Sequence, residues 1–209
     1  MEREIGSFFI EGYNFDTKTY DNKENTLLLV IDLQEKLMPA IYESDKIIKN
    51  SKTLLKVFEM YGIKKIATEQ YPKGLGQSVS EIKENLDNDH IFSKTSFDAI
   101  TDEVSSYLKE NKITNVIITG AETHICVYQT VRRLLFEGYK VFVVEDAVSS
   151  FNEKQKKLGL KAISDMGASL VNTEMLMFDL ANSSKNHHFN EVSKLVKENR
   201  KEIEKLLNK

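Results

Sequence analysis

Two hydrophobic patterns alternate along the chain. Short runs of consecutive apolar residues, of which residues 27–31 are the clearest, predict strands that are buried on both faces of a parallel sheet. Longer stretches repeat their apolar residues at helical spacing, as in residues 44–61, where Gly62 ends the pattern. Strand and helix patterns alternate six times. They predict a three-layer α/β/α fold, with helices on both faces of a six-stranded, mostly parallel sheet with right-handed crossovers.

The other elements follow in the same order. We expect further strands at residues 63–68, 90–94, 115–119, 140–145 and 168–171, the fifth strand ending at Asp146. Helices are expected at residues 78–86, 100–108, 127–135, 153–166 and 173–180. Residues 69–76 hold a proline and two glycines, and predict a shaped loop at the carboxyl end of the sheet.

The pattern divides the chain into three parts. Residues 1–25 mix aromatic and charged side chains without a period, and predict an N-terminal arm. Residues 26–184 contain all six strands and form the predicted domain. Residues 185–209 predict a C-terminal amphipathic helix that packs on the domain or on a sister subunit. Because Asn199 interrupts the apolar stripe of that helix, a coiled coil is disfavoured.

Composition limits the partners. A chain of 209 residues with 41% hydrophobic content supports one core and thus a single domain. The formal net charge of -3 disfavours nucleic acid as a partner. One cysteine excludes an intramolecular disulfide and favours a reducing compartment, so we expect a cytoplasmic protein. No apolar run approaches the ~20 residues of a membrane span, and no membrane partner is expected.

Three residues with charged or nucleophilic side chains follow predicted strands. Asp32 ends the first strand, Lys94 ends the third, and Cys126 lies just past the fourth. The carboxyl ends of parallel strands share one edge, so these side chains can converge to within ~4 Å. Each also has a simpler interpretation on its own. Asp32 could cap a helix, Lys94 could be a solvated charge, and Cys126 could be a buried structural thiol.

The combination of these residues suits nucleophilic catalysis. A carboxylate can take the proton of a thiol, and a lysine can favour the resulting thiolate. We expect Cys126 in the first turn of a helix, where unpaired backbone N–H groups also favour the thiolate. The carboxylate can later return its proton to a leaving amine.

The same segments resemble those of a known family. Residues 28–34, residues 92–95 and residues 120–127, which read Gly-Ala-Glu-Thr-His-Ile-Cys-Val, are similar to the three signature regions of the isochorismatase-like cysteine hydrolases. The resemblance covers residues 26–181 and implies the Rossmann-like fold of that family. The loop at residues 68–76 and the helical tail look like those of the isochorismatase domain-containing subgroup.

The resemblance implies a role for several residues. Cys126 would be the nucleophile, Asp32 the general base and then acid, and Lys94 the group that orients and polarises. The backbone N–H groups of Glu122 and Cys126 would form the oxyanion hole. A non-proline cis peptide bond is expected between Glu122 and Thr123.

Five side chains are candidates for contact with a substrate: Gln34, Tyr71, Phe97, Thr123 and His124. An aromatic residue in such a loop serves packing as often as recognition, and His124 could line only the rim of the site. Glu69 could pair with Lys94 or face water.

Two departures from the family narrow the chemistry. Nicotinamidases of this family bind a metal through an Asp-x-His pair and a further histidine, whereas the corresponding loop here has no histidine. We therefore expect no metal and no other cofactor, and nicotinamide is a poor candidate substrate. Isochorismatases proper lack the cysteine and cleave a vinyl ether, so Cys126 indicates acyl or amide chemistry.

The sequence thus predicts a hydrolase of C–N bonds other than peptide bonds. Its substrate would be a small amide, carbamoyl or related acyl compound, cleaved by a Cys-Asp-Lys triad through a thioester. The alternatives are a catalytically silent binding or interaction protein with this fold, and a redox-sensing thiol protein. The expected partners are a small-molecule substrate and further copies of the chain, in a homo-oligomer of two or more subunits.

Overall fold

The structure is a computed structural model that describes residues 23–208. The predicted N-terminal arm therefore lies outside the described residues, except for Lys23–Asn25, which form a 3-10 turn. Within the described part of the chain, no helix has the length and apolar character that crossing a membrane requires.

One six-stranded sheet forms the centre of the molecule, with the strand order β3-β2-β1-β4-β5-β6. Every neighbouring pair of strands is parallel. The strands are β1 Thr26–Ile31, β2 Lys64–Gln70, β3 Ile91–Lys94, β4 Asn115–Ala121, β5 Lys140–Ser149 and β6 Ser169–Val171. The predicted parallel α/β sheet is confirmed.

Helices cover both faces of the sheet. They are α1 Ser44–Met60, α2 Pro72–Leu75, α3 Ser80–Lys83, α4 Asp102–Glu110, α5 Tyr128–Phe136, α6 Glu153–Asp165, α7 Thr173–Ala181 and α8 Phe189–Leu207. Short 3-10 turns occur at Met38–Ala40 and Asn88–His90. One core packs α1, α7 and α8 against residues such as Leu28, and the other packs α4, α5 and α6 against residues such as Leu29. The sheet thus separates two cores, as the alternation of side chains along β1 requires.

The strand order reverses between β1 and β4. The chain runs outward from β1 through β2 to β3, and then returns to pair β4 with the other side of β1 before continuing to β5 and β6. A crevice opens outside the carboxyl ends of the strands at such a point, and open α/β sheets bind their ligands there. The residues that follow β1 and β4 are therefore the first candidates for chemistry.

Gly120 allows β1 and β4 to meet at this reversal. It pairs with Ile31 and has φ of +126°. A Cβ atom at this position would lie 2.0 Å from the Ile31 carbonyl oxygen, closer than any real contact. Only glycine fits here, for reasons of space as well as backbone conformation.

The prediction that β5 ends at Asp146 is wrong. The register between β4 and β5 shifts between Ile118 and Gly120, so that Gly120 pairs with Val148. Asp146 lies within the strand, where Oδ1 accepts hydrogen bonds from the N–H and Oγ1 of Thr173 (2.8 and 2.9 Å). Its carboxylate thus caps α7, which explains an acidic residue inside a buried strand.

Helix α8 packs against α1 and α7 of its own domain. Asn199, the residue that interrupts its apolar stripe, donates from Nδ2 to Asn50 Oδ1 (2.9 Å). Its Oδ1 accepts a hydrogen bond from Thr53 Oγ1 (3.0 Å). The polar residue in the stripe is therefore satisfied by two polar residues of α1, and fixes the position of α8.

Substituting Gly120 by alanine should destabilise the fold severely. We expect the free energy of unfolding to fall by more than about 3 kcal/mol, because the new Cβ overlaps the Ile31 backbone. Gly138 is the matched control, since its φ is +87° but no atom lies within 4 Å of the place that a Cβ would take. Gly138→Ala should cost only about 1 to 2 kcal/mol of backbone strain. Urea unfolding measures the stability of both variants. Equal losses of stability would contradict the close approach of Gly120 to the Ile31 backbone.

Candidate active site

The side chains of Asp32, Lys94 and Cys126 meet at the point where the strand order reverses. Lys94 Nζ lies 2.7 Å from Asp32 Oδ2 and 3.8 Å from Cys126 Sγ. The Asp32 carboxyl also acts on the Cys126 thiol and raises its pKa. The Asp32 and Lys94 side chains are fully buried, whereas Cys126 is 8% exposed. The structure thus brings a carboxyl group, a lysine amine and a thiol together at one buried point.

Lys94 comes from a strand that is not adjacent to the reversal. It is the last residue of β3, which is separated from β1 by β2, a distance of ~10 Å at ordinary strand spacing. A long side chain is needed to cross that distance. Gln70 Oε1 accepts a hydrogen bond from Lys94 Nζ (2.7 Å), and the carbonyl oxygens of Ser96 and Phe97 accept two longer ones (3.2 and 3.4 Å). These acceptors hold the ammonium group without a second carboxylate.

Asp32 is fixed by the end of β2. It has φ of +53°, its N–H donates to the Thr68 carbonyl (3.1 Å), and its Oδ1 accepts from Thr68 Oγ1 (2.8 Å). Burial raises the pKa of the Asp32 carboxyl above its ordinary value, because desolvation outweighs the opposing effects of Lys94, Thr68 and Cys126. A carboxyl group with a raised pKa is suited to accept and return a proton.

Cys126 lies in a π-helical turn, Thr123–Val127, that precedes α5. The prediction of a first α-helical turn is therefore wrong in detail. The cis peptide bond joins Ala121 and Glu122, one residue before the predicted position. It falls there because β4 runs through Ala121 and the turn begins only at Thr123.

The thiol is protonated in the resting protein. Burial, followed by the charge of Asp32, raises the pKa of Cys126 to about 12, although Lys94 and a hydrogen bond from the backbone of Glu122 act in the opposite direction. The expectation that the helix start would give a thiolate is wrong for this state. Desolvation of a buried sulfur outweighs the nearby N–H groups.

Two residues at the end of β2 were missed from the sequence. Thr68 binds Asp32 and Gln70 binds Lys94, so both position the reactive groups. They occupy alternate positions at the carboxyl end of a strand, and therefore lie on the same face. Polar residues with that spacing at the end of a buried strand were the available signal. Glu69 neither pairs with Lys94 nor faces water, because its Oε1 accepts the Ser78 N–H (2.6 Å).

Both polar groups of the Gln34 side chain are bonded within the protein, and its role in substrate binding stays a prediction. Its Nε2 donates to the carbonyl oxygens of Gln70 (3.0 Å) and Gly76 (2.7 Å), and its Oε1 accepts the Gln70 N–H (2.8 Å). The side chain is fully buried. It fixes the loop after β2, because unpaired loop backbone groups would be costly to bury.

The other predicted substrate contacts differ in exposure. Tyr71 and Phe97 are 56% and 54% exposed, and the backbone of each bonds Lys94: the Tyr71 N–H donates to the Lys94 carbonyl (2.8 Å), and the Phe97 carbonyl accepts from Lys94 Nζ. His124 is half-buried, with Nδ1 2.9 Å from Ser150 Oγ. Thr123 is fully buried, and its hydroxyl has no hydrogen-bond partner among the described residues. The roles of these four residues in substrate binding stay predictions.

Among residues 23–208, no group of three or more His, Cys, Asp or Glu side chains is arranged to hold a metal ion. The absence of a metal or other cofactor from the working protein stays a prediction.

The parallel sheet and its flanking helices define an isochorismatase-like hydrolase fold. The family model described as "Isochorismatase domain" matches residues 26–175, which is most of the chain. The protein belongs to the isochorismatase family.

Named relatives agree with this assignment. The chain is 36% identical to isochorismatase family protein 1A of Dictyostelium discoideum over 180 residues, which cover 84% of this chain and 87% of the relative. It is 35% identical over 174 residues to isochorismatase domain-containing protein 2 of Danio rerio, covering 83% and 87%. A solved structure described as the MAR1 ribonuclease of Caenorhabditis elegans is 40% identical, with a TM-score of 0.80 and coverage of 84% and 91%.

Replacing Asp32 by asparagine should speed alkylation of Cys126 at neutral pH. The charge and hydrogen bond of Asp32 raise the thiol pKa, so their loss lowers that pKa and increases the fraction of thiolate, about tenfold if the pKa falls by about 1. Lys94→Met should act in the opposite direction. Because Cys126 is the sole cysteine, intact-mass measurement of iodoacetamide labelling across neutral and alkaline pH follows this thiol alone.

Asp102→Asn provides the control for this experiment. Asp102 is an exposed acid in the first turn of α4, so its loss changes net charge equally without touching the site. Slower labelling of Asp32→Asn than of wild type at neutral pH would contradict the assignment of Asp32 as the group that keeps the thiol protonated.

Proposed function

We propose that this protein is a cysteine hydrolase of small amides, carbamoyl compounds or related acyl compounds, acting through a thioester on Cys126. The supporting observation is the buried contact between Asp32, Lys94 and the only thiol of the chain, at the crevice where α/β sheets bind ligands. Membership of the isochorismatase family supports a hydrolase role. The triad, the thioester and the scissile bond are the parts that we propose.

The first half of the reaction forms the thioester. The Asp32 carboxylate takes the thiol proton as the sulfur attacks the carbonyl carbon. The carbonyl oxygen takes up negative charge as the carbon becomes tetrahedral. When the tetrahedral carbon collapses, the bond to the leaving group breaks, and Asp32 returns its proton to the departing amine.

Lys94 supports both Asp32 and Cys126 in this step. While Asp32 is ionised, the ion pair at 2.7 Å stabilises its charge; while the sulfur is ionised, the Nζ atom at 3.8 Å stabilises the thiolate. The lysine thereby lowers the cost of moving a proton between two buried acids.

The second half regenerates the enzyme. A water molecule gives a proton to Asp32 and attacks the thioester carbonyl carbon, and the carbon–sulfur bond then breaks. The leaving thiolate takes the proton back from Asp32. The carboxylic acid product departs, and the Cys126 thiol and the Asp32 carboxylate are restored for the next cycle.

Oxyanion stabilisation is assigned to the N–H groups of Glu122 and Cys126. The Glu122 backbone acts to lower the pKa of Cys126, as a donor N–H near the sulfur does. Loss of one such donor costs about 3 kcal/mol of transition-state stabilisation in other hydrolases. Tyr71 and Phe97, which are exposed and bonded through their backbones to Lys94, are the proposed walls for the substrate.

Alanine at Cys126 should abolish hydrolysis. We expect kcat/KM for any small amide or activated ester that the wild type cleaves to fall by at least about 10³-fold, because no other thiol exists to form the intermediate. Intact-mass measurement during turnover should show a wild-type species heavier by the acyl group and no such species for Cys126→Ala. Turnover that survives this substitution would contradict the thioester.

RNA cleavage is the second candidate activity, since a structure 40% identical to this chain is described as a ribonuclease. Attack by the RNA 2′-hydroxyl would need an acid and a base but no thiol. Cleavage of a labelled RNA that persists in Cys126→Ala but not in Asp32→Asn would therefore favour that activity. The net charge of -3 disfavours a phosphate backbone as ligand. So does Lys94, because its Nζ atom already binds acceptors within the protein.

A homo-oligomer stays our prediction for the assembly. The described surface carries several exposed large apolar residues outside the site, which suit a symmetric contact. They are Phe136, Leu158, Met175 and Phe178. The silent binding protein and the redox-sensing thiol protein are the outcomes that remain if no substrate forms an acyl adduct.

A further inference from the structure

The segment at residues 122–127, which carries Cys126, is joined to the end of β5 by its own side chains. Glu122 Oε2 accepts the backbone N–H of Phe151 (2.9 Å), and His124 Nδ1 lies 2.9 Å from Ser150 Oγ. The His124 and Phe151 rings are also in contact, with centroids 5.8 Å apart. Two alternate residues of the segment thus bind two consecutive residues beyond β5.

The register shift in β5 makes these contacts possible. Ile118 pairs with Val143, but Gly120 pairs with Val148 and Ala121 with Ser149. Extra residues of β5 are thereby accommodated in a bulge, and the strand resumes beside the end of β4. Residues 150 and 151 consequently lie next to the segment that begins at Glu122.

Residues 149–150, on the β5 side of these contacts, are themselves held in place. Ser149 Oγ donates to the Tyr42 carbonyl (2.6 Å), and the Tyr42 N–H donates to the Ser150 carbonyl (2.8 Å). Both bonds tie residues 149–150 to the chain that follows β1. The Phe151 N–H is therefore presented to Glu122 from a fixed backbone.

Helix α6 packs directly against the same segment. A Cβ atom on Gly159 would lie 2.9 Å from the His124 nitrogen and 3.0 Å from the Thr123 carbonyl carbon. The helix backbone therefore leaves the segment little room to move toward α6. The contacts of the Glu122 and His124 side chains with the end of β5 then limit movement of the segment away from that strand.

We propose that the Glu122 carboxylate is a positioning residue, which aims its own backbone N–H at the reacting centre by binding the Phe151 N–H. Oxyanion donors must lie within about 0.5 Å of the productive position, so a side chain that fixes the torsion angles of Glu122 affects catalysis without touching the substrate. This inference rests on the proposed cysteine hydrolase function. It assigns to the side chain of Glu122 a task separate from that of its backbone.

The decisive comparison is between Glu122→Ala and Glu122→Gln. Both remove the same negative charge, but glutamine keeps an oxygen that can accept the Phe151 N–H. For the substrate that wild type cleaves, Glu122→Ala should lower kcat by about 10-fold to 100-fold, with KM changed by less than about threefold. Glu122→Gln should recover kcat to within about fivefold of wild type, because a neutral acceptor is weaker than a carboxylate.

Thiol alkylation provides a readout that does not depend on turnover. The Glu122 backbone lowers the Cys126 pKa, against the raising effect of Asp32 and together with the lowering effect of Lys94, the two charged groups that face the sulfur. Displacing it should move the pH profile of iodoacetamide labelling upward in Glu122→Ala relative to Glu122→Gln. Glu110→Ala, an exposed glutamate at the end of α4, controls for the loss of a surface charge.

The outcomes separate this inference from the proposed function. Equal kcat and equal labelling profiles for the alanine and glutamine variants would overturn the positioning role, while leaving the hydrolase intact. Absence of turnover in every variant, with labelling profiles that still differ, would overturn the hydrolase and retain the positioning of the N–H group. Equal falls in kcat and in urea stability for both variants would show a merely structural contact, and would also overturn the inference.

Discussion

The buried ion pair between Lys94 and Asp32 constrains the rest of the site. Removing two charges from water costs several kcal/mol per ion, and the mutual attraction offsets this only if other groups complete the hydrogen bonding. Thr68 serves Asp32, while Gln70 and two backbone carbonyl oxygens serve Lys94. The ends of β1, β2 and β3 must therefore keep their registers, because each contributes a partner for one of the two charges.

The same burial explains why the thiol rests in its protonated form. A third charge beside the ion pair would be strongly disfavoured, and the pKa of Cys126 is accordingly raised to about 12. The proton nevertheless has a short path to Asp32, whose own pKa is raised by burial. In the proposed mechanism, Cys126 is therefore unreactive toward solvent and becomes reactive when a bound carbonyl group takes up negative charge. This coupling is a property of the three side chains together and belongs to none of them alone.

The sequence predicted the features that depend on local patterns. The apolar runs at residues 27–31 and 115–119 identified the central strands. The residues at or just past the ends of β1, β3 and β4 identified the three side chains that meet. Features that depend on tertiary contacts were missed. β5 continues through Asp146 because that carboxylate caps a helix 27 residues away. Gln34 lies just past the end of β1, where residues can line a pocket. Its side-chain amide is hydrogen-bonded to the backbone of a loop that lies far from it in sequence.

The thiol pKa could not be predicted from the sequence for a related reason. A helix start favours a thiolate only when the sulfur is hydrated or faces uncompensated N–H groups, and neither burial nor the approach of Asp32 is visible in the residues around Cys126. The bulge that brings β5 beside Glu122 is likewise a consequence of how two strands pair. Local sequence therefore predicts which residues assemble, and the packing around them decides their protonation and orientation.

A crystal structure of the Asp32→Asn protein soaked with an activated ester tests the central claim most directly. The lower thiol pKa expected of this variant lets the thiolate form without Asp32, and an activated leaving group needs no proton, so the first step can proceed. The water that should cleave the thioester has lost its base, so the intermediate should be trapped. The account predicts continuous density from Cys126 Sγ to an acyl carbon. Its carbonyl oxygen should lie within about 3 Å of the backbone nitrogens of Glu122 and Cys126. An ester that binds in the crevice without a bond to the sulfur, or an acyl oxygen turned away from those nitrogens, would contradict it.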